Sequence, residues 1–178
     1  MKKTLFVSKI QQLTLLLSIL LTGYMTSVNA WTDDVKTLDN ANSLCKLEPA
    51  AQCTSAVHIG LDAPGLDMHD ADMATMRLDG ANLQGANLQR AILQLTNLKG
   101  ANLMMANLEG AHMHATNLQN ANLSLANLKK VNFLDADLTG ANLTGANLTG
   151  AILIQAKLDN AIWTDGRICA KHSIGECL

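Results

Sequence analysis

The stretch Ala81-Asn82-Leu83-Gln84-Gly85 is followed directly by Ala86-Asn87-Leu88-Gln89-Arg90, and the same order of small, polar and leucine residues continues beyond it. Followed in both directions, this five-residue period runs from Leu66 to Asp165 without an insertion or deletion. We number the positions of each unit one to five. Position one is Ala in most units, and position three is Leu except at Met68, Met73, Met113, Phe133 and Trp163. Positions one and three are therefore the constrained ones.

Neither regular secondary structure accommodates this period. A helix advances about 100° per residue, so a five-residue repeat would spread the leucines over every side of the cylinder. A flat strand alternates its side chains with a period of two, so an odd repeat would put successive leucines on opposite faces. The pattern instead predicts a chain that turns a corner every five residues, with positions one and three inside a coil of four sides.

The remaining positions agree with a corner in every unit. Asn or Asp at position two, as in Asn82, Asn107 and Asp137, can accept a hydrogen bond from the backbone two residues further on. Gly at position five, as in Gly85 and Gly150, adopts the left-handed backbone of a tight turn without a steric cost. We therefore expect twenty residues per coil and backbone pairing between stacked coils.

This motif resembles that of the pentapeptide-repeat family, in which Ala, Asp or Asn, and Leu precede two variable residues. The resemblance implies an all-β fold, a right-handed quadrilateral parallel β-helix. With twenty residues per turn, 66–165 makes about five coils, and we expect disulfide-clipped end caps. The domain boundaries expected from the sequence are a signal peptide at 1–30, an N-terminal cap at 31–65, the β-helix at 66–165 and a C-terminal cap at 166–178. Some members of the family protect DNA gyrase by imitating DNA, and many have no assigned activity.

The first thirty residues are typical of a secretory signal. Lys2, Lys3 and Lys9 precede the apolar run 13–21, and small residues close the segment at Val28-Asn29-Ala30. An uncleaved membrane anchor is the alternative, but the apolar run 13–21 is shorter than the roughly twenty residues that span a bilayer. We therefore expect cleavage, no stable membrane anchor and an exported protein, periplasmic or secreted. Without the three lysines the chain carries ten basic and 15 acidic residues, so its net charge of −5 predicts no nucleic-acid partner.

All four cysteines flank the repeats: Cys45 and Cys53 precede them, and Cys169 and Cys177 follow them. Four cysteines allow three pairings. The pairs Cys45–Cys53 and Cys169–Cys177 are favoured because opposite ends of a stack of coils lie too far apart to be bridged. The same distance disfavours a four-cysteine zinc site. We expect the disulfides to fasten caps over the open ends of the coil.

The sequence predicts no enzyme and no cofactor, because it contains no nucleophile elbow, phosphate loop or paired carboxylates. His112 and His114 flank Met113, with Met104 and Met105 nearby, which raises a soft copper site as an alternative. The favoured interpretation is that Met113 points into the core and both histidines decorate the surface, so that no metal is bound.

Stacking residues twenty apart gathers outward apolar side chains on one side of the coil. This candidate interaction face comprises Ile92, Leu95, His112, His114, Leu134, Ile152 and Ile154. Apolar residues gathered on a flat surface suggest a contact site, although scattered exposed aliphatics are common. The favoured function is an exported, non-catalytic scaffold that binds a protein partner or itself. The alternative is a DNA-mimicking protector of a topoisomerase such as gyrase. The net negative charge of 66–165 gives this alternative weak support, since the segment has eight Asp and one Glu against six basic residues.

Overall fold

A computed structural model describes residues 45–178. The signal peptide predicted at 1–30 and the first part of the predicted N-terminal cap lie outside these residues. Between 45 and 178 the chain forms single-residue β-bridges and two-residue turns, with no helix and no longer strand. Accordingly, no helix in this part of the chain is long and apolar enough to cross a membrane.

Each unit places one bridge residue at position two and a turn at positions four and five. Parallel bridges join residues twenty apart, from Gln52 with Asp72 to Asn142 with Ile162. Twenty residues therefore complete one coil, and four columns of bridges define four faces. We name each face by one buried leucine: the Leu83 face contains 81–85, the Leu88 face 86–90, the Leu93 face 91–95 and the Leu98 face 96–100, each with the units twenty residues above and below.

The chain turns the corner of each unit at position five. From Ala50 to Asn160 every residue at this position has a positive φ, including side chains as large as Arg90 and Leu125. A left-handed backbone costs a residue other than Gly about 1–2 kcal/mol. Inter-coil hydrogen bonds support the corner, because from Ala50 to Gly145 each position-five N–H donates to a carbonyl of the coil above, as Leu125 N does to Thr144 O at 2.9 Å.

The core confirms the inward assignment of positions one and three. Leu83, Leu103 and Phe133 are fully buried, as are the alanines at position one from Ala71 to Ala111. Two position-one threonines are also buried. Thr96 and Thr116 donate their hydroxyl protons to carbonyl oxygens of the coil below, at 2.7 Å in both cases, so these buried polar groups are satisfied.

The regular ladder begins inside the predicted N-terminal cap. Gln52, Val57 and Asp62 already pair with residues of the next coil, although the sequence places the start of the coil at Leu66. The sequence does not reveal this earlier start, because position three of these units holds Cys53, His58 and Ala63 rather than Leu. Such units lack the leucine signal but retain the corner, because the backbone hydrogen bonds that form it do not depend on side-chain identity.

Both predicted disulfides are present. Cys45 is bonded to Cys53 with a Cα–Cα distance of 4.9 Å, and Cys169 to Cys177 at 4.8 Å. Trp163, at position three of the last unit, is partly buried and packs against the core. The right-handed sense and the count of about five coils stay predictions.

Candidate interaction face

The Leu93 face brings together all seven residues of the predicted interaction face. Its bridge column runs from Asp72 through Ile92, His112 and Asn132 to Ile152. Ile92 is 37% exposed and Ile152 45%, while Leu95 and Ile154, both in turn positions, are 62% exposed. His112 is exposed, and His114 and Leu134 are half-buried. The residues therefore share one face, as the twenty-residue stacking predicts.

The apolar residues form two patches rather than one. Ile92 and Leu95 belong to one coil, and Ile152 and Ile154 lie three coils above, a distance of about 14 Å at the usual inter-strand spacing, with half-buried Leu134 one coil below Ile154. The exposed residues between the two patches, His112 and Asp135, are polar, and His114 Nε2 lies 3.3 Å from Asp135 Oδ2. The sequence does not reveal this division, because the degree to which each side chain is covered depends on its neighbours in the coils above and below.

Two of the other faces satisfy their own polar groups. On the Leu83 face the Asn102 amide donates to Asn82 Oδ1 at 3.1 Å, and Asn122 donates to Asn102 at 3.3 Å. The Leu88 face carries the same kind of ladder, in which Asn107 donates to Asn87 at 3.4 Å and Asn127 to Asn107 at 3.0 Å. No such amide ladder runs along the described part of the Leu93 face, where Ile92, His112 and Ile152 share position two with Asp72 and Asn132.

The Leu98 face is held by charge and amide contacts. Arg77 Nε lies 3.2 Å from Asp79 Oδ2, and the Gln119 amide donates to Asp137 Oδ2 at 2.8 Å. Burial raises the pKa of Asp137, but hydrogen bonds from Thr139 and Gln119 outweigh this effect and leave the pKa below its usual value. The polar groups of this face thus bond mainly to one another.

The two histidines considered for copper do not converge with the methionine between them. Met113 is fully buried, whereas His112 and His114 point away from the core. In residues 45–178 no three His, Cys, Asp or Glu side chains cluster in a way that could hold a metal ion. The geometry therefore does not assemble the histidines and Met113 into one ligand set.

Sequence reasoning missed the apolar C-terminal end. Ile168 and Ile174 are 68% and 51% exposed, and Leu178 is also exposed. The only signal for them was the presence of isoleucine in a short irregular tail, which does not indicate the direction of a side chain.

Comparison with known proteins returned one family. The model described as "Pentapeptide repeats" matches in eight copies, over residues 67–104, 77–114, 106–145 and 135–162, which together span more than half of the chain. No curated protein matches.

Several solved structures are similar. A pentapeptide repeat protein from the thylakoid lumen of Arabidopsis thaliana is 23% identical over 67% of this chain and 71% of its own, with a TM-score of 0.31. Rfr23 from the cyanobacterium Cyanothece 51142 is 27% identical over 63% and 90%, with a TM-score of 0.33. QnrB1, a plasmid-mediated fluoroquinolone resistance protein, is 17% identical over 65% and 73%, with a TM-score of 0.34. The family assignment rests on the repeat match.

Proposed function

Because the chain belongs to the pentapeptide repeat family, we propose that it is an exported, non-catalytic scaffold that presents its Leu93 face to another protein or to a second copy. The observation that carries this proposal is the exposure of Ile92, Leu95, Ile152 and Ile154 on one face. Burial of apolar surface contributes about 25 cal/mol per Å², so these side chains favour a partner that covers them.

The spacing of the two patches defines the partner. A surface that covers both must be flat and at least about 14 Å long, with a polar centre opposite His112, His114 and Asp135. A second β-surface meets these requirements through face-to-face packing. The polar centre then contributes orientation more than affinity, since the His114–Asp135 pair is partly exposed to solvent.

Export is supported by the cysteines and the N-terminal sequence. Both disulfides in the described residues belong to the class that persists in oxidising compartments. The segment 1–30 has the composition of a cleaved secretory signal. An exported protein does not meet a cytoplasmic topoisomerase, so export disfavours the topoisomerase alternative.

The distribution of charge also disfavours imitation of DNA. A duplex presents unpaired phosphates at regular intervals. Here several carboxylates are paired with a cation. Asp70 contacts Arg90 at 2.5 Å, Asp79 contacts Arg77 at 3.2 Å and Asp165 contacts Arg167 at 3.5 Å. The negative field of the coil is correspondingly weak.

The test is chemical crosslinking and affinity capture from the native envelope fraction, with the double variant Ile92→Lys/Leu95→Lys beside the wild type. Leu125→Lys is the matched control, because Leu125 is 60% exposed at a corner outside the Leu93 face. We expect the double variant to lose the captured partner and the control to retain it, because two lysines in the patch must be desolvated on contact. Equal capture by all three proteins would contradict the proposal.

Fractionation of the same cells tests export. The mature protein, starting at Trp31, is expected in the periplasm or the medium. Recovery of the uncleaved chain in the cytoplasm would instead favour the topoisomerase alternative.

A further inference from the structure

The two apolar patches of the Leu93 face are placed symmetrically about its middle. Ile92 and Ile152 occupy position two in the first and the last of four successive coils, and His112 and Asn132 occupy the same position in the two coils between them. A two-fold axis that lies in the face, along the chain direction and midway between His112 and Asn132, exchanges the first coil with the fourth and the second with the third. This face can therefore be tested for complementarity with itself.

The rotation lays each apolar patch on the other patch of a second copy. Position two of the first coil then faces position two of the fourth, so Ile92 packs on the second copy's Ile152. Leu95 and the second copy's Ile154, at the neighbouring positions five and four, meet in the same contact. All four side chains are between 37% and 62% exposed in the single chain. In the pair, an aliphatic side chain covers each of them, which removes apolar surface from water.

The polar centre between the patches is complementary under the same rotation. His112 lies opposite the second copy's Asn132. Asn132 Oδ1 accepts the Leu134 N–H at 3.1 Å, whereas the Asn132 NH2 group and the His112 ring have no hydrogen-bond partner within residues 45–178. The amide can donate to an unprotonated nitrogen of the opposite imidazole, and symmetry forms this bond twice. Both side chains then lose water without being left unpaired.

The corner that leads into this face alternates long side chains with glycines. In the four coils its position-five residues are Arg90, Gly110, Lys130 and Gly150. The rotation sets Arg90 opposite the second copy's Gly150, and Lys130 opposite its Gly110. Arg90 is also paired with Asp70 in the coil below, on the side away from the second copy's Lys130. Each long side chain on this margin therefore meets a residue that leaves room for it.

We propose that two copies pair through the Leu93 face with their coil axes antiparallel, related by this two-fold axis. The proposal rests on the proposed function, because it names a second copy as the partner of the same face. A two-fold pairing uses the face once on each copy, so the assembly closes as a dimer. A two-fold axis parallel to the coil axis would instead place His112 on the second copy's His112 and Leu95 beside its Arg90. Only the antiparallel arrangement covers all four aliphatic side chains with aliphatic ones.

Crosslinking through single introduced cysteines tests this arrangement. No native cysteine is free in the described residues, which include all four, so a bis-maleimide reacts with the introduced thiol alone. Facing β-sheets pack about 10 Å apart, so a reagent of that span should link Ile92→Cys to Ile152→Cys in an equimolar mixture of the two variants. Each variant alone should stay uncrosslinked, because its two thiols are displaced by about 14 Å along the coil axis. Leu125→Cys is the matched control, exposed but outside the Leu93 face.

Sedimentation velocity of the purified mature protein over a concentration series measures the affinity of the pair. Ile92→Lys/Leu95→Lys and Ile152→Lys should each weaken dimerisation about tenfold or more, because lysine enters both symmetric apolar contacts and must be desolvated. Leu125→Lys should dimerise like the wild type. Circular dichroism with a thermal melt shows whether each variant is folded.

A protein that stays monomeric at its highest soluble concentration would overturn the pairing. So would crosslinking of either cysteine variant to itself as efficiently as in the mixture, or a dimer that both folded lysine variants leave intact. Failure of the proposed function gives a different result. If the wild type is monomeric but Ile92→Lys/Leu95→Lys still loses a captured partner, the face binds another protein and only the self-pairing is wrong. A monomeric wild type with equal capture by wild type and variant contradicts both.

Discussion

His58 shows how a single residue departs from the repeat at a cost. It occupies position three of its unit, directly below Leu78 and Leu98 in the same column. Those leucines bury only apolar atoms, whereas His58 brings ring nitrogens to this position. Its Nε2 atom is buried and has no hydrogen-bond partner in residues 45–178. A buried polar atom without a partner costs about 1–3 kcal/mol.

We therefore predict that His58→Leu stabilises the protein by about 1–2 kcal/mol, because it removes this unsatisfied nitrogen and restores the leucine column. Urea unfolding monitored by circular dichroism measures the change. His112→Gln serves as the control, since this histidine is exposed and its replacement should alter the free energy of unfolding by no more than about 0.5 kcal/mol. A less stable His58→Leu variant would show that the imidazole contributes a favourable contact.

Asp137 links stability to pH. Its Oδ1 accepts the Thr139 N–H at 3.0 Å and its Oδ2 accepts the Gln119 amide at 2.8 Å. These bonds keep the pKa of the folded carboxyl below its unfolded value despite partial burial. The resulting stability is present above the unfolded pKa and is lost as pH falls through the folded pKa.

We accordingly predict that Asp137→Asn flattens the loss of stability between neutral pH and about pH 3, because Asn has no carboxylate to protonate. Asn is also the commonest residue at position two, so the variant fits the coil. Urea midpoints at both pH values give the measurement. Asp159→Asn, at a position where the structure shows no hydrogen bond to the carboxylate from the described residues, should retain more of the wild-type slope. Identical slopes for the two variants would contradict the assignment.

At the scale of elements, the sequence predicts the units that carry the strongest signal. From Leu66 to Asp165, Leu at position three and a small residue at position one indicate the corner and the inward face directly. The units at 51–65 adopt the same geometry without that signal, since Cys53, His58 and Ala63 replace the leucine. Their fold depends on backbone pairing with the coil above, which is a non-local property that no single unit displays.

The C-terminal cap was only partly predictable from the sequence. The cap and its Cys169–Cys177 disulfide follow from cysteine spacing and from the need to cover an open coil. The antiparallel direction of the cap does not follow from them, because the tail has no repeat from which pairing can be inferred.

The interaction face was also predictable only in part. Stacking residues twenty apart places Ile92 and Ile154 on one face, but the separation into two apolar patches depends on how neighbouring coils cover each side chain.

At the scale of the whole molecule, the coil is a one-dimensional stack in which each turn contacts only its neighbours. No coil covers its own ring of leucines, so stability is approximately a sum over coils and the contacts between them. Residues twenty apart are chemically matched along each face. The stacked Asn82, Asn102 and Asn122 amides are one example, and the Met113 and Phe133 column is another.

Deletion of one full coil should therefore be tolerated better than deletion of half a coil. Removal of 101–120 keeps every later residue on its own face and joins Asn82 to Asn122 in the same amide column. Removal of 101–110 rotates everything beyond it by two faces, which moves Phe133 from the methionine column into the column of Leu83. Overpacking of this kind costs about 1–3 kcal/mol per site. We expect the shorter deletion to unfold at the lower temperature and less cooperatively in differential scanning calorimetry, although it removes fewer residues. A higher transition temperature for the ten-residue deletion would show that any five-residue unit can replace any other, and that face identity contributes nothing to stability.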